Sequence, residues 1–125
     1  MQTQAPSIEN LNAKKIFNRE EAQLLLPVLI KITERYLNDV RVLTSQMNAL
    51  QGIDNERAGA VQTKIDSTLQ KWQDNIRRLG AVPKGIWNVD FDCGTGYYCW
   101  KFPENEIRFW HGYQDGFPGR VEIGP

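Results

Sequence analysis

A single histidine, His111, lies near the C-terminal end of the chain among several charged side chains. Histidine takes up and releases a proton near neutral pH, and its ring nitrogens are common metal ligands. Because Glu104 and Glu106 precede it and Arg120 follows it, general acid–base catalysis is one role that the sequence offers. The alternative is a structural histidine, hydrogen-bonded at the border of a packed aromatic face, and the sequence favours that alternative.

Asp90 is a further candidate, because a carboxylate can orient a histidine or bind a cation. Its simpler interpretation is a strand carboxylate that pairs with Lys101 or Arg108. A catalytic site would therefore draw on His111, Glu106 and Asp90.

Arg120 follows the glycine-containing segment 116–119, where its guanidinium could bind a carboxylate or phosphate group through two hydrogen bonds. A salt bridge to Glu104, Glu106 or Asp115 that pins the loop is the other interpretation, and it is slightly favoured. The candidate ligand-binding residues of this region are Glu104, Trp110, His111 and Arg120.

The two cysteines, Cys93 and Cys99, do not have the spacing of a structural zinc site. With one histidine in the chain, we expect neither a metal site nor a cofactor. Cys99 is predicted to be a small packing residue within a strand, and Cys93 a thiol in a turn. The sequence contains no nucleophile elbow and no phosphate-binding loop.

The charge balance argues against electrostatic binding to nucleic acids or to an anionic membrane. Fifteen Lys and Arg residues match fifteen Asp and Glu residues in a chain of 125 residues, the length of one domain. No apolar run approaches the roughly 20 residues that span a bilayer, and the N-terminus lacks the features of a signal peptide. We therefore expect one cytoplasmic domain with no nucleic-acid or membrane partner.

Residues 17–80 are predicted to form a helical hairpin after a polar lead-in, residues 1–16. Asn18 and Glu21 match a capping box, and apolar residues then recur at spacings of three and four as far as Gln51. Pro27 predicts either a kink or a separate one-turn helix. The first apolar stripe consists of Ala22, Leu26, Leu29, Tyr36, Val40, Leu43, Met47 and Leu50, with Thr33 in the missing position.

A second stripe follows a predicted turn at residues 51–54, in which Asp54 is the N-cap of the next helix. Gly80 is predicted to end that helix. Two stripes of similar length joined by a tight turn predict an antiparallel hairpin. The second stripe consists of Val61, Ile65, Leu69, Trp72, Ile76 and Leu79.

Residues 81–125 are predicted to form a small sheet and a glycine-rich tail. The apolar period falls to two, which predicts strands at 86–91, 97–102 and 107–111. One face is too apolar to remain in water, so we expect it to lie on the hairpin rather than to bind bases. That face comprises Trp87, Val89, Phe91, Tyr98, Trp100, Phe102, Ile107, Phe109 and His111.

The register of the sheet depends on the lengths of its two turns. If both turns have four residues, Asp90 lies opposite Cys99, Cys99 opposite Trp110, and Tyr98 opposite His111. Asp90 and His111 would then lie on opposite faces, which disfavours a direct contact between them. The second face would comprise Asn88, Asp90, Asp92, Tyr97, Cys99, Lys101, Arg108 and Trp110.

The ordered motifs of the last 45 residues resemble a family of small bacterial and archaeal proteins called domain of unknown function 2203. The opening helix, Phe17 to Pro27, is also similar to that of the family, whereas the segment 85–88 is longer than its usual spacing. The resemblance supports the fold and the position of a site but implies no reaction. Its motifs are Asp90-Phe91, Cys99-Trp100-Lys101, Glu104 and Glu106-Ile107, Trp110-His111, and Gly116-Phe117 with Gly119-Arg120.

The sequence therefore predicts an α+β domain in which a long antiparallel helical hairpin packs on a three-stranded antiparallel sheet. The apolar stripe between Tyr36 and Ile65 would extend past so small a sheet, and we expect a homodimer through it. The favoured function is a binding module with a site for a small polar ligand or a protein segment where His111, Glu106 and Arg120 meet. The alternative is a small acid–base or metal-dependent enzyme that uses His111 with Glu104 or Glu106.

Overall fold

A computed structural model describes residues 15–125, so the predicted lead-in lies outside the described residues except for its last two positions. Two long helices precede an antiparallel sheet of five strands in sequential order, confirming the α+β class. None of the helices in this range is both long enough and apolar enough to cross a membrane. The elements are α1 (Arg19–Leu50), α2 (Asn55–Arg78), β1 (Val82–Lys84), β2 (Asn88–Asp92), β3 (Tyr97–Lys101), β4 (Phe109–His111), a 3₁₀ turn (Phe117–Gly119) and β5 (Val121–Glu122).

The start of α1 is fixed by the predicted capping box. The Asn18 side chain accepts a hydrogen bond from the backbone N–H of Glu21 at 2.7 Å, and the Glu21 carboxylate accepts one from the N–H of Asn18 at 2.9 Å. The helix continues through Pro27, so the predicted alternative of a separate first turn is wrong. Leu26 and Leu29 are fully buried on either side of the proline, and their burial offsets the roughly 3 kcal/mol that proline costs inside a helix.

The hairpin closes as predicted, with Asp54 capping α2 and Gly80 following its end in a left-handed conformation at φ +90°. Two hydrogen bonds join the helices inside the interface. The Trp72 indole N–H donates to the Thr33 hydroxyl at 3.0 Å, and the Asn75 amide donates to the Tyr36 hydroxyl at 2.8 Å. Thr33 therefore occupies the missing position of the apolar stripe because it satisfies the Trp72 indole.

The sheet has five strands, and the prediction of three is wrong. β1 and β5 lie at the two edges, with Val82 opposite Asp90 and Val121 opposite Trp110. Both strands are too short to show a period of two, and β1 contains Pro83, which a sheet tolerates at its edge.

The aromatic face of the sheet packs on the end of the hairpin that carries Leu26 and Ile76, as predicted, but Phe109 and His111 lie on the other face. Val89, Phe91 and Trp100 are fully buried there. Phe17 meets Phe91 edge-on at 5.1 Å between ring centroids, and Trp72 meets Trp87 in the same manner at 5.1 Å. Leu26, Leu29, Ile76, Ala81 and Ile107 complete this core.

The predicted register is confirmed for β2 and β3 but is wrong for β3 and β4. Asp90 lies opposite Cys99 as expected, whereas Tyr98 lies opposite Trp110 and Tyr97 opposite His111. The pairing of β4 is therefore shifted by one residue, which moves His111 to the face that carries Asp90 and Cys99.

The cause of the shift is the segment before β4, which is bound to α1. Ile107 is fully buried, its N–H donates to the Gln23 side chain at 2.9 Å, and its carbonyl accepts from the Arg19 side chain at 3.1 Å. With these contacts, the connection between β3 and β4 is longer than the predicted four-residue turn, and β4 begins only at Phe109.

Replacing Thr33 with Val tests the hydrogen bond inside the hairpin. The shape is kept, but the buried Trp72 N–H loses its acceptor, so we expect the free energy of unfolding to fall by about 1–3 kcal/mol. Urea unfolding measures this change. Thr63→Val is the matched control, because that hydroxyl is exposed and its partner among residues 15–125 is the Gly59 carbonyl of its own helix. A Thr33→Val protein as stable as the control would contradict the assignment.

Candidate functional site

The face of the sheet turned away from the hairpin is polar, yet it is buried. Along β2 its side chains alternate with the buried Val89 and Phe91, and the C-terminal tail covers it. Tyr113 of the tail donates a hydrogen bond to Asp92 at 2.7 Å and packs edge-on against Tyr97. The buried polar residues of this face are Asn88, Asp90, Asp92, Cys99 and His111.

His111 forms a direct pair with Asp90, and both residues are only 2% exposed. The His111 Nε2 atom lies 3.1 Å from Asp90 Oδ2, and Nδ1 lies 2.8 Å from the carbonyl oxygen of Gly112. The sequence interpretation that placed the two side chains on opposite faces is wrong because of the register shift. Lys101 and Arg108, the predicted partners of Asp90, instead contact the Ile86 carbonyl and Glu122.

The second oxygen of Asp90, Oδ1, is buried and has no hydrogen-bond partner among residues 15–125. A buried carboxylate oxygen normally accepts at least one hydrogen bond, because burial without a partner costs free energy. This atom is therefore the one unsatisfied polar side-chain atom of the buried face in the described part of the chain.

Cys99 completes the cluster. Its Sγ atom lies 3.6 Å from the Asn88 side-chain oxygen, and the thiol is fully buried, as predicted for a packing residue. Burial, followed by the nearby Asp90 carboxylate, raises the pKa of Cys99 to about 12, with Arg120 acting in the opposite direction. The thiol is therefore protonated at neutral pH and is not an activated nucleophile. Ligand atoms of Asp90, Cys99 and His111 all lie within 4.8 Å of one another.

Arg120 fastens the tail over this face. Its guanidinium contacts both oxygens of Glu104, at 3.0 and 2.9 Å, and lies between the rings of Phe109 and Phe117, 3.9 and 4.1 Å from their centroids. Glu104 also accepts the backbone N–H of Lys101 at 2.8 Å. This is the loop-pinning salt bridge that the sequence offered as one interpretation of Arg120.

Tyr113 is a part of the site that the sequence analysis did not single out. Its hydrogen bond to Asp92, followed by desolvation, raises the pKa of the phenol to about 12. The sequence places Tyr113 in a glycine-rich tail, but no hydrophobic period there indicates which strand its ring will cover.

The residues proposed to meet at one rim are not brought together. Glu106 is exposed and lies 3.9 Å from Arg108, at an open cleft beside the start of α1, whereas His111 pairs with Asp90 and Arg120 with Glu104. Trp110 lies opposite Tyr98, on the other side of its strand from His111.

Fold and site together define an α+β domain in which a helical hairpin carries a sheet that is buried on both faces. The chain belongs to the family described as "Uncharacterized conserved protein (DUF2203)", whose model matches residues 15–123. The resemblance drawn from the sequence motifs is thereby confirmed. No curated protein and no solved structure matches the chain.

Replacing Arg120 with Lys tests how the tail is held. Lysine keeps the charge but loses the planar guanidinium, which holds Nη1 against both Glu104 oxygens while it stacks on two rings, so we expect a loss of about 1–3 kcal/mol in the free energy of unfolding. Hydrogen exchange at the amides of β5 should also become faster.

Arg108→Lys is the matched control, because the ion pair of Arg108 with Glu122 is more exposed. The side chains of Arg108 and Glu122 are 48% and 60% exposed, whereas those of Arg120 and Glu104 are 15% and 22% exposed. An exposed ion pair contributes about 0–1 kcal/mol. Equal effects of the two substitutions would show that Arg120 does not hold the tail.

Proposed function

We propose that this protein is a cytoplasmic, bacterial binding module that works without catalysis, and that it forms a homodimer through the far half of its hairpin, residues 36–65. The observation that carries the proposal is the length of α1. All four buried residues of this helix, Ala22, Leu26, Leu29 and Thr33, lie in its first half.

Beyond Thr33, the described residues of α1 include none that is buried. The apolar stripe continues with the same spacing of three and four, but each of its remaining members in α1 is only partly buried. A stripe with that spacing is typical of a helix that packs on further helices. Its remaining members are Tyr36, Val40, Leu43, Met47 and Leu50.

A groove between the helices gives this surface a shape. It is lined by Ala49, Leu50, Ala60 and Val61 together with Gln46, Arg57 and Lys64. Val42, which is 58% exposed, lines a second groove that shares Lys64. A second copy laid on this face would cover the partly buried residues of α1 in a four-helix arrangement, whereas Ile65 of α2 is already buried within the hairpin.

The geometry of His111 favours binding over catalysis. A general acid or base must reach the substrate proton, either directly or through one water molecule. His111 is 2% exposed and both ring nitrogens already have partners, so the enzyme alternative has no accessible group at this position. Both cysteines are free thiols, which supports the proposed cytoplasmic location.

A small polar ligand has a place of its own in this proposal, away from His111. The open cleft beside the start of α1 is lined by Arg19, Gln23, Glu106 and Arg108. With Glu122, which also lines the cleft, it presents two guanidinium groups and two carboxylates, a mixture that suits a small polar molecule.

Sedimentation of the intact protein at low micromolar concentration tests the dimer. We expect twice the mass of the 14.4 kDa chain, and we expect Val42→Arg to yield the monomer because it places a charge within the proposed contact. A wild-type protein that sediments as a monomer would reject the proposal.

Ile86→Arg is the matched control. Ile86 is 56% exposed, close to the value for Val42, but it lies in the turn before β2 at the sheet end of the molecule. This variant should remain dimeric. If Ile86→Arg separates the copies and Val42→Arg does not, the contact lies on the sheet and not on the hairpin.

A further inference from the structure

We infer that Asp90, Cys99 and His111 form a binding site for a divalent transition-metal ion of the Zn²⁺ type. The three residues come from three adjacent strands, β2, β3 and β4, and present a carboxylate oxygen, a sulfur and a ring nitrogen within 4.8 Å of one another. Neither the hairpin surface nor the polar cleft takes part in this site.

The sheet itself brings the three ligand atoms together. Asp90 and Cys99 are directly opposite in the ladder between β2 and β3, so their side chains leave the same face side by side. His111 is opposite Tyr97, two residues from Cys99 on that face, which is the diagonal position from which a long side chain reaches across. Strand geometry, with the register that β4 has after the Ile107 anchor, therefore positions the ligands.

The hydrogen bonds of His111 point to an ion at Nε2. Both ring nitrogens face acceptors, namely the Gly112 carbonyl oxygen at 2.8 Å and the Asp90 carboxylate at 3.1 Å. When Nδ1–H donates to the carbonyl, a neutral imidazole directs its Nε2 lone pair toward Asp90. A histidine whose second nitrogen donates to a backbone carbonyl is the usual arrangement of a metal ligand.

Asp90 Oδ1 is the second, independent observation. A proton shared between Nε2 and Oδ2 would satisfy that contact, but it would leave Oδ1 buried and without a partner among the described residues. An ion bound between the three side chains would accept the Nε2 lone pair and would give the buried carboxylate a positively charged partner.

The ligand types select the class of ion. A thiolate and an imidazole favour Zn²⁺ and related transition metals, whereas Mg²⁺ and Ca²⁺ take oxygen ligands. Each bond forms by donation of a lone pair to the ion, and the Cys99 thiol proton and the proton of the histidine–aspartate contact leave to solvent. The ion's two positive charges then balance one thiolate and one carboxylate, which suits a buried position.

The site is closed, because all three residues are at most 2% exposed. A closed site supports the fold, whereas a catalytic zinc keeps a position open to solvent or substrate. The Asn88 side-chain oxygen, 3.6 Å from the Cys99 sulfur, is a nearby candidate for an additional ligand. The expectation of no metal rested on the spacing of Cys93 and Cys99 in the sequence, and Cys93 is not a member of this cluster.

Titration with Co²⁺ tests the site directly. The untagged, full-length protein is stripped with a chelator and titrated with Co²⁺, whose thiolate charge-transfer band and visible absorption report coordination. We expect one equivalent to bind with a charge-transfer band, Zn²⁺ to displace it, and Zn²⁺ to raise the melting temperature. The imidazole resonances of His111, the sole histidine of the chain, should shift at Nε2 when Zn²⁺ binds.

Cys99→Ser should lose the charge-transfer band, and Asp90→Asn should lose stoichiometric binding, with folding of each variant checked by circular dichroism. Cys93→Ser, which removes the other thiol of the chain, is the matched control and should bind like the wild type. Should Cys99→Ser fail to fold, Asp90→Asn and the wild-type His111 resonances still decide the question. Absence of a charge-transfer band in the wild type, its persistence in Cys99→Ser, or its loss in Cys93→Ser would each overturn the site.

Discussion

The attachment of Ile107 to the first helix decides what the polar face of this protein can do. The Ile107 side chain is fully buried. Its backbone N–H donates to the Gln23 side chain, and its carbonyl oxygen accepts from the Arg19 side chain. Because these contacts set where β4 joins the sheet, they also set its register. A strand shifted by one residue presents its opposite set of side chains, so the register at which β4 follows this anchor places His111 on the face of Asp90.

Burial of the second face then requires that its polar groups find partners within the protein. The tail supplies several of them, with Tyr113 bonded to Asp92 and Arg120 paired with Glu104 over the sheet. Arg120 is suited to this position because its planar group binds a carboxylate with two hydrogen bonds and stacks on rings at the same time. After these pairs are formed, Asp90 Oδ1 is the buried side-chain atom of this face that lacks a hydrogen-bond partner among the described residues.

The sequence predicts the hairpin well because its information is local. Capping residues such as Asn18 and Asp54, and apolar spacings of three and four, determine helix ends and faces within a few residues. The β2–β3 pairing was predictable for a similar reason, since the turn at 93–96 alone defines it. The family motifs lie in the same segment and support the same assignment.

Other parts of the fold depend on contacts between residues that are distant in the sequence. The edge strands β1 and β5 are too short to show a pattern, and Pro27 remains helical because Leu26 and Leu29 are buried against the rest of the core. The face of His111 is linked to a contact between Ile107 and Gln23, two residues that are 84 positions apart in the chain. No period in the strand itself could reveal that contact, so the candidate site was the least predictable part of the molecule.

One aromatic side chain of the core contacts both the opposite helix and the segment that leads into the sheet. Trp72 donates to Thr33 across the hairpin and meets Trp87 edge-on just before β2 begins. Trp87 has a left-handed backbone conformation, φ +62°, which an aromatic residue adopts only where its surroundings hold it. The packing of the helices therefore bears directly on the position at which the strand that carries Asp90 begins, whereas the far half of the hairpin lies beyond Thr33, the last buried residue of α1.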